Sequence, residues 1–208
     1  MEFFQLKVTL RDIKPPIWRR ILVSPEISLD RLHDILQIAM GWTNSHLHQF
    51  ETPEGFFSDP MFELEETGNS KKMKLAQVLD RPKASIRYEY DFGDGWEHQI
   101  LLEKAVDLES NPAAICVAGA RACPPEDCGG IWGYENLIEI LQDPKHPEHK
   151  EMAEWVGGKF DPEFLDLEAI NAKLIRLTAP KPKKSTAKKS TAKKSAAKKS
   201  ASKSASKQ

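Results

Sequence analysis

Apolar residues at every second position near the amino terminus predict two β-strands. The alternating residues of the two segments are Phe4, Leu6, Val8 and Leu10, and then Ile17, Ile21 and Val23. A short break containing Pro15 and Pro16 separates the segments. Because two alternating segments joined by a short polar break usually pair, we expect an antiparallel hairpin.

A change to helical spacing follows directly after this hairpin. Apolar residues recur every three or four positions from Leu29 to Met40, Ser28 is a favourable N-cap, and Gly41 is suited to end the helix. Three more helices are predicted over residues 134–141, 148–156 and 162–177. For the last of these, we expect Asp161 as the N-cap and Pro162 at the first helical position.

The middle of the chain predicts three further strands. One lies around residues 46–50, a polar and acidic excursion runs to about residue 74, a short apolar turn covers residues 75–79, and two strands lie within residues 85–103. The predicted order is β-β-α-β-β-β, followed by carboxy-terminal helices. This order indicates an α+β domain over residues 1–178, in which a mixed sheet packs on one main helix in the manner of a β-grasp.

The segment 88–103, YEYDFGDGWEHQILLE, predicts a hairpin whose register depends on its loop. A two-residue Asp94-Gly95 loop mixes apolar and charged side chains on each face. A three-residue loop that begins at Gly93, with Gly95 left-handed, aligns Tyr90 with His98 and puts the aromatic residues on one face. We therefore predict the three-residue loop.

This register places Asp91 directly opposite Glu97, and two interpretations of the hairpin remain open. In the first, the hairpin is structural, its aromatic face packs on the helix, and His98 is hydrogen-bonded in or near the core. In the second, two opposed like charges are tolerated because a cation or a basic partner lies between Asp91 and Glu97.

The charged residues are unevenly distributed along the 208-residue chain, which has a formal net charge of −1. Residues 179–208 hold eleven of the 30 Lys and Arg and none of the 31 Asp and Glu, so the tail carries +11. The remaining 19 basic and 31 acidic residues give the first 178 residues a net charge of −12. The two parts of the chain are therefore electrostatically opposite.

The tail repeats the pattern Lys-Lys-Ser-x-Ala and contains no aromatic or large aliphatic residue. It cannot bury enough apolar surface to offset the entropy of ordering, so we expect disorder. Clustered lysines displace counterions from a nucleic-acid backbone whatever the base sequence. We therefore expect nonspecific nucleic-acid binding by the tail, with a solubilising extension as the alternative. The candidate binding residues are Lys183, Lys184, Lys188, Lys189, Lys193, Lys194, Lys198 and Lys199.

The composition of the chain indicates in which cellular compartment the protein is expected. No stretch approaches ~18 consecutive apolar residues, and the first residues do not resemble a secretion signal. We therefore expect a cytoplasmic protein that does not act at a membrane. Three cysteines are an odd number and do not predict a disulfide framework, so reduced thiols are expected.

A second notable segment, RACPPEDCGGIWGYENLIEIL, spans residues 121–141. Its glycines permit tight backbone geometry before a helix, but it lacks a phosphate-binding lysine and a complete dinucleotide motif. Cys116, Cys123 and Cys128 lack the paired spacing of structural zinc sites, so with His46 and His48 they are only weak metal-ligand candidates. No cofactor is expected.

Several separate motifs resemble the plasmid pRiA4b ORF-3-like family. They are IKPPIWRRILVSPEISLDRLHDILQIAMGW, HLHQFE, YEYDFGDGWEHQILLE, CPPEDCGGIWGYENLIEIL and FDPEFLDLEAIN, in this order over roughly residues 2–177. The resemblance implies a compact α+β domain with plasmid and transposon associations, and no particular activity. Some family members carry a resolvase-type label, but nothing in this sequence resembles the catalytic pattern of serine recombinases.

Three classes of function follow from these features. The leading hypothesis is a non-catalytic, nucleic-acid-associated or adaptor protein that has a possible protein partner. The second is a metal-dependent hydrolase of phosphate esters, with catalytic candidates Asp91, Asp94, Glu97 and His98 and possible help from His46 and His48. The third is a protein–protein interaction module.

Overall fold

A computed structural model describes residues 1–110 and 112–178. Its strands are β1 (Glu2–Leu10), β2 (Trp18–Val23), β3 (His48–Thr52), β4 (Gly55–Ser58), β5 (Thr67–Asn69), β6 (Ser85–Tyr90), β7 (Trp96–Asp107) and β8 (Ala114–Ala120). Its α-helices are α1 (Leu29–Met40), α2 (Leu75–Val78), α3 (Gly130–Gln142), α4 (His149–Trp155) and α5 (Leu167–Thr178). A single turn of 3₁₀ helix covers Pro60–Phe62.

The strands form one eight-stranded sheet in the order β5-β4-β3-β6-β7-β1-β2-β8. Strands β4 and β5 run parallel, whereas the other neighbours are antiparallel, so the sheet is mixed. The expected amino-terminal hairpin forms, with Leu6 opposite Ile21. The predicted α+β class is therefore confirmed.

Helix α1 packs against the sheet through a stripe of fully buried residues that includes Leu32, Ile35 and Leu36. Burying one such side chain stabilises the fold by about 1.5–3 kcal/mol, before the cost of ordering it. The predicted helix ends are correct. The Ser28 hydroxyl accepts a hydrogen bond from the Arg31 amide at 3.2 Å, and Gly41 ends the helix with a φ of 100°.

Strands β4, β5 and β8 were not predicted from the sequence. The first two have only four and three residues, and β8 (AICVAGA) is rich in small residues. β4 pairs with β3 and β5, and β8 pairs with β2, and local sequence patterns do not encode these pairings. Gly119 in β8 approaches the backbone of β2 so closely that a Cβ atom would lie 2.8 Å from the Trp18 carbonyl oxygen.

The predicted start of the last helix was wrong. Helix α5 begins at Leu167, where the Asp166 carboxylate accepts a hydrogen bond from the Ala169 amide at 2.9 Å. The Asp161 carboxylate instead accepts a hydrogen bond from the Glu163 amide at 3.0 Å, in a turn before the helix. Both aspartates follow the same local chemistry, and only the second leads into a helix.

The predicted register of the β6–β7 hairpin was wrong by two residues. Tyr90 pairs with Trp96 rather than with His98, and five residues, 91–95, connect the strands. A shift of two residues keeps every side chain on its face, so the predicted burial of the aromatic face is correct. Gly95 has the expected positive φ, 68°. Glu97 pairs with Glu89 instead of Asp91.

The lysine-rich segment 179–208, with its predicted disorder and its candidate lysines, lies outside the described residues. Within the described ranges, no helix is both long enough and apolar enough to cross a membrane.

Candidate functional site

A cavity of about 520 Å³ opens beside the amino-terminal half of α1, between the residues that precede β3, the 3₁₀ turn and the β6–β7 loop. Its walls carry the carboxylates Asp30, Asp34, Asp59 and Asp91 and the imidazoles His33, His46 and His48. No lysine or arginine is among the described residues that line it. The size is that of a small-ligand site, and the wall is acidic.

Two of the histidines that line this cavity form a stacked pair. The rings of His33 and His48 lie 3.5 Å apart between centroids and are nearly parallel, at 8°. His33 is held on both sides, by the Tyr88 hydroxyl at 2.8 Å and the Asn44 amide oxygen at 2.9 Å. Neither ring nitrogen of His48 has a hydrogen-bond partner among the described residues.

Burial controls the charge of this pair. It lowers the pKa of His48 to about 3, with a smaller contribution from neighbouring His33, and it also lowers the pKa of His33. Both imidazoles are therefore neutral near pH 7. A neutral imidazole offers one N–H donor and one acceptor, so His48 is a buried group with two unused hydrogen-bonding positions.

A cluster of His46, Asp91 and Asp127, which we call the His46 cluster, lies beside the cavity. His46 Nδ1 is 3.6 Å from Asp91 Oδ2, and His46 Nε2 is 3.2 Å from Asp127 Oδ1. One ligand atom from each residue lies within 4.8 Å of the others. Glu126 is a neighbour of the cluster, with Oε2 at 3.6 Å from His46 Nε2.

The hairpin loop fixes the carboxylate of Asp91. Its backbone is left-handed, with a φ of 58°, and its amide donates to the Leu47 carbonyl at 2.8 Å. Oδ1 accepts hydrogen bonds from the amides of Gly93 at 3.0 Å and Asp94 at 3.3 Å. These contacts leave Oδ2 directed towards His46.

Tyr90 positions Glu126. Its hydroxyl accepts a hydrogen bond from the Ser45 amide at 3.0 Å and donates to Glu126 Oε1 at 3.1 Å. Burial, reinforced by the Glu126 charge, raises the pKa of Tyr90 to about 12, so the phenol keeps its proton. The Thr43 amide adds a hydrogen bond of 2.7 Å to the same carboxylate oxygen.

The loop that carries Glu126 and Asp127 is anchored at both ends. Trp42 stacks on Tyr90 at 4.8 Å and donates from Nε1 to the Pro124 carbonyl at 3.1 Å. At the other end, the Gly129 amide donates to Asp94 Oδ2 at 3.1 Å. The candidate Asp94 thus connects the hairpin loop to the segment before α3, which is a structural role.

Comparison with known proteins places the chain in a family. The family model described as "Plasmid pRiA4b ORF-3-like protein" matches residues 2–169. The chain belongs to this family. It is 38% identical over 187 residues to "Uncharacterized protein y4hQ" of Sinorhizobium fredii (strain NBRC 101917 / NGR234), covering 87% of this chain and 95% of that protein.

A solved structure shares the fold of this family member. It is the "Crystal Structure of Protein of Unknown Function MM3350 from Methanosarcina mazei Go1", which is 37% identical, with a TM-score of 0.72. The match covers 80% of this chain and 96% of that one. The resemblance inferred from the motifs is thus confirmed. Neither relative indicates a catalytic or nucleic-acid function.

Glu97 does not join the other hydrolase candidates. It lies on the opposite face of the sheet, where it contacts Arg11 at 2.6 Å and Arg87 at 3.7 Å. Glu89 stands directly opposite it. A cation or a basic partner between Asp91 and Glu97 was one of the two interpretations left open for this hairpin. The two acids that face each other are instead Glu89 and Glu97, and arginine side chains of the protein lie beside them.

His98 is fully buried and does not line the cavity. Its Nδ1 lies 3.2 Å from the Tyr88 carbonyl oxygen, and burial lowers its pKa to about 4. The imidazole is therefore neutral near pH 7. This environment agrees with the structural interpretation of the hairpin, in which His98 is hydrogen-bonded in the core.

The three cysteines do not join the His46 cluster. Burial raises the pKa of Cys123 and of Cys128 to about 12 and also raises that of Cys116, so all three thiols stay protonated. The metal-compatible group found among the described residues contains no cysteine. Sequence reasoning missed Asp127 as a potential ligand. The sequence feature that could have identified this residue is the segment CPPEDCGG, in which two prolines precede two acids and two glycines follow.

Proposed function

We propose that this family member is a non-catalytic, nucleic-acid-associated protein that contacts the phosphate backbone through residues 179–208. The observation that carries the proposal is the charge division, +11 on the tail against −12 on the rest of the chain. An acidic folded part repels a polyanion, so the attraction has to come from the lysines. The association of the family with plasmids and mobile elements suggests DNA as the polyanion.

The geometry of the hairpin supports a non-catalytic role. Asp91, Glu97 and His98 were the core of the hydrolase hypothesis, and their side chains do not meet at one site. Glu97 is paired with arginines on the opposite face, and His98 is enclosed in the core. A general base must lie within hydrogen-bonding reach of its substrate, which a fully buried His98 does not.

A metal-dependent hydrolase remains the second candidate, with His46 and Asp91 kept from the sequence-based candidates and Asp127 added to them. The observation that favours it is the position of His46 and Asp91, which contribute both to the His46 cluster and to the cavity. A hydrolase of this kind should release phosphate from a simple aryl phosphate ester in the presence of Mn²⁺. An Asp127→Asn variant should lose that activity.

Fluorescence anisotropy with a labelled DNA duplex tests the leading proposal. The full chain should bind without sequence preference, with a slope of log affinity against log salt of roughly −4 to −6 if about half the lysines engage. The isolated 179–208 peptide should bind more tightly at low salt, because the acidic part of the intact chain competes for the same lysines.

The matched control keeps the chain length constant. The eight paired lysines from Lys183 to Lys199 are replaced by glutamine, which removes charge without shortening the chain. This variant, and a truncation after Thr178, should lose nearly all DNA binding. If either binds as well as the full chain, recognition lies in the folded part and the proposal fails. If the full chain does not bind, the protein-interaction hypothesis takes its place.

A further inference from the structure

We infer that the His46 cluster is a binding site for one divalent transition-metal ion, with His46, Asp91 and Asp127 as its protein ligands. The inference concerns the folded part of the chain and does not rest on the nucleic-acid proposal. The three ligands come from the segment before β3, the β6–β7 loop and the loop before α3. None of them was paired with another by its spacing in the sequence.

The spacing of the ligand atoms suits a metal ion. Metal–ligand bonds of about 2.0–2.2 Å put two ligands of one ion at most about 4.4 Å apart. The three atoms lie within 4.8 Å of one another. Asp91 faces Nδ1 and Asp127 faces Nε2 of His46, so a rotation of the His46 side chain is needed for one nitrogen to share an ion with both carboxylates. One imidazole nitrogen with two carboxylate oxygens favours Mn²⁺, Zn²⁺ or Co²⁺, since Ca²⁺ prefers an all-oxygen shell.

The charges around the cluster also favour a bound cation. Asp91 is only 7% exposed, and within the described chain neither it nor Asp127 makes an ion pair with a lysine or arginine. Glu126 adds a third carboxylate beside His46. A buried carboxylate needs a compensating charge. A divalent ion would supply two positive charges to the three carboxylates beside His46.

A second, independent observation comes from His48. This side chain is 2% exposed and lines the same cavity as His46 and Asp91, and neither of its ring nitrogens has a partner in the described part of the chain. Buried polar groups are almost always hydrogen-bonded, so an unpaired one calls for an explanation, of which a bound ion or water is one. Three protein ligands leave positions open on the ion, and the cavity gives these positions room for water or a small ligand that reaches His48.

Titration of the full chain with Mn²⁺ tests the inference, with free Mn²⁺ measured by electron paramagnetic resonance after prior treatment with a chelator. The full chain is suitable because residues 179–208 contain no Asp, Glu, His or Cys. One Mn²⁺ should bind per chain. Asp127→Asn and His46→Gln should each weaken binding by at least about tenfold. Asp127 is the deciding position, because its side chain is exposed and forms an ion pair with His46 alone among the described residues.

The control variants change the same residue types elsewhere. Glu97→Gln, His149→Gln and the double variant Cys123→Ser, Cys128→Ser should each bind Mn²⁺ within about twofold of the parent. Circular dichroism melts confirm that each variant is folded. Absence of saturable Mn²⁺, Co²⁺ or Zn²⁺ binding would overturn the inference. Equal binding by the parent, Asp127→Asn and His46→Gln would overturn the ligand assignment, and loss of binding in the cysteine variant would move the site to the thiols.

Discussion

Replacing His98 with leucine should make the protein less sensitive to acid. Burial lowers the pKa of this imidazole from 6.5 to about 4, although backbone hydrogen bonds to Tyr88 and Trp96 partly oppose the shift. Between these two pH values the unfolded chain binds a proton at His98 and the folded chain does not. The stability that depends on neutral His98 is therefore fully present above pH 6.5 and is lost as the pH falls towards 4.

The magnitude follows from the width of that window. Each pH unit below 6.5 lowers the free energy of unfolding by about 1.4 kcal/mol per affected histidine, so His98 accounts for about 2 kcal/mol at pH 5. At pH 7 the His98→Leu change should alter stability by less than about 1.5 kcal/mol, because leucine has a similar volume and one ring nitrogen of His98 has no partner among the described residues. The buried imidazoles of His33 and His48 are present in both proteins, so their contributions cancel in the difference.

Urea unfolding followed by tryptophan fluorescence at pH 7 and pH 5 measures the effect. The free energy of unfolding of His98→Leu relative to the parent should rise by about 2 kcal/mol between the two pH values. His149→Gln, which changes a partly exposed histidine, is the control. If the difference between His98→Leu and the parent is the same at both pH values, His98 becomes charged inside the fold and the reasoning is refuted.

Two further substitutions test the backbone and the core by the same urea assay. Gly95→Val should destabilise the protein by roughly 1–3 kcal/mol, because φ at this position is 68°; a cost no larger than that of Asp94→Ala would contradict this. Arg19→Met should cost about 3 kcal/mol, because the 2%-exposed guanidinium donates to three backbone carbonyls that would lose their partner. The exposed Arg81→Met is its control and should stay within about 0.5 kcal/mol of the parent.

Local chemistry explains which parts of the fold could be predicted. Helix α1 has its cap, its apolar spacing and its terminating glycine within fourteen consecutive residues, 28–41, and each acts on its immediate neighbours. The buried face of the β6–β7 hairpin was predicted correctly although its register was not, because side-chain alternation is unaffected by a shift of two residues. Strand β8 could not be predicted, because its small residues become a strand only through pairing with β2.

The sequence by itself determined the α+β class, the family, the charge division between residues 1–178 and 179–208, and the inward face of each predicted hairpin. These properties depend on composition or on residues close together in the chain. Only the tertiary structure brought His46, Asp91 and Asp127 together. Pairing of His48 with Tyr90 brings the first two into proximity, and the contact of Trp42 with Pro124 anchors the loop that carries the third. Because these contacts join residues that are 42 and 82 positions apart in the chain, no local pattern encodes them.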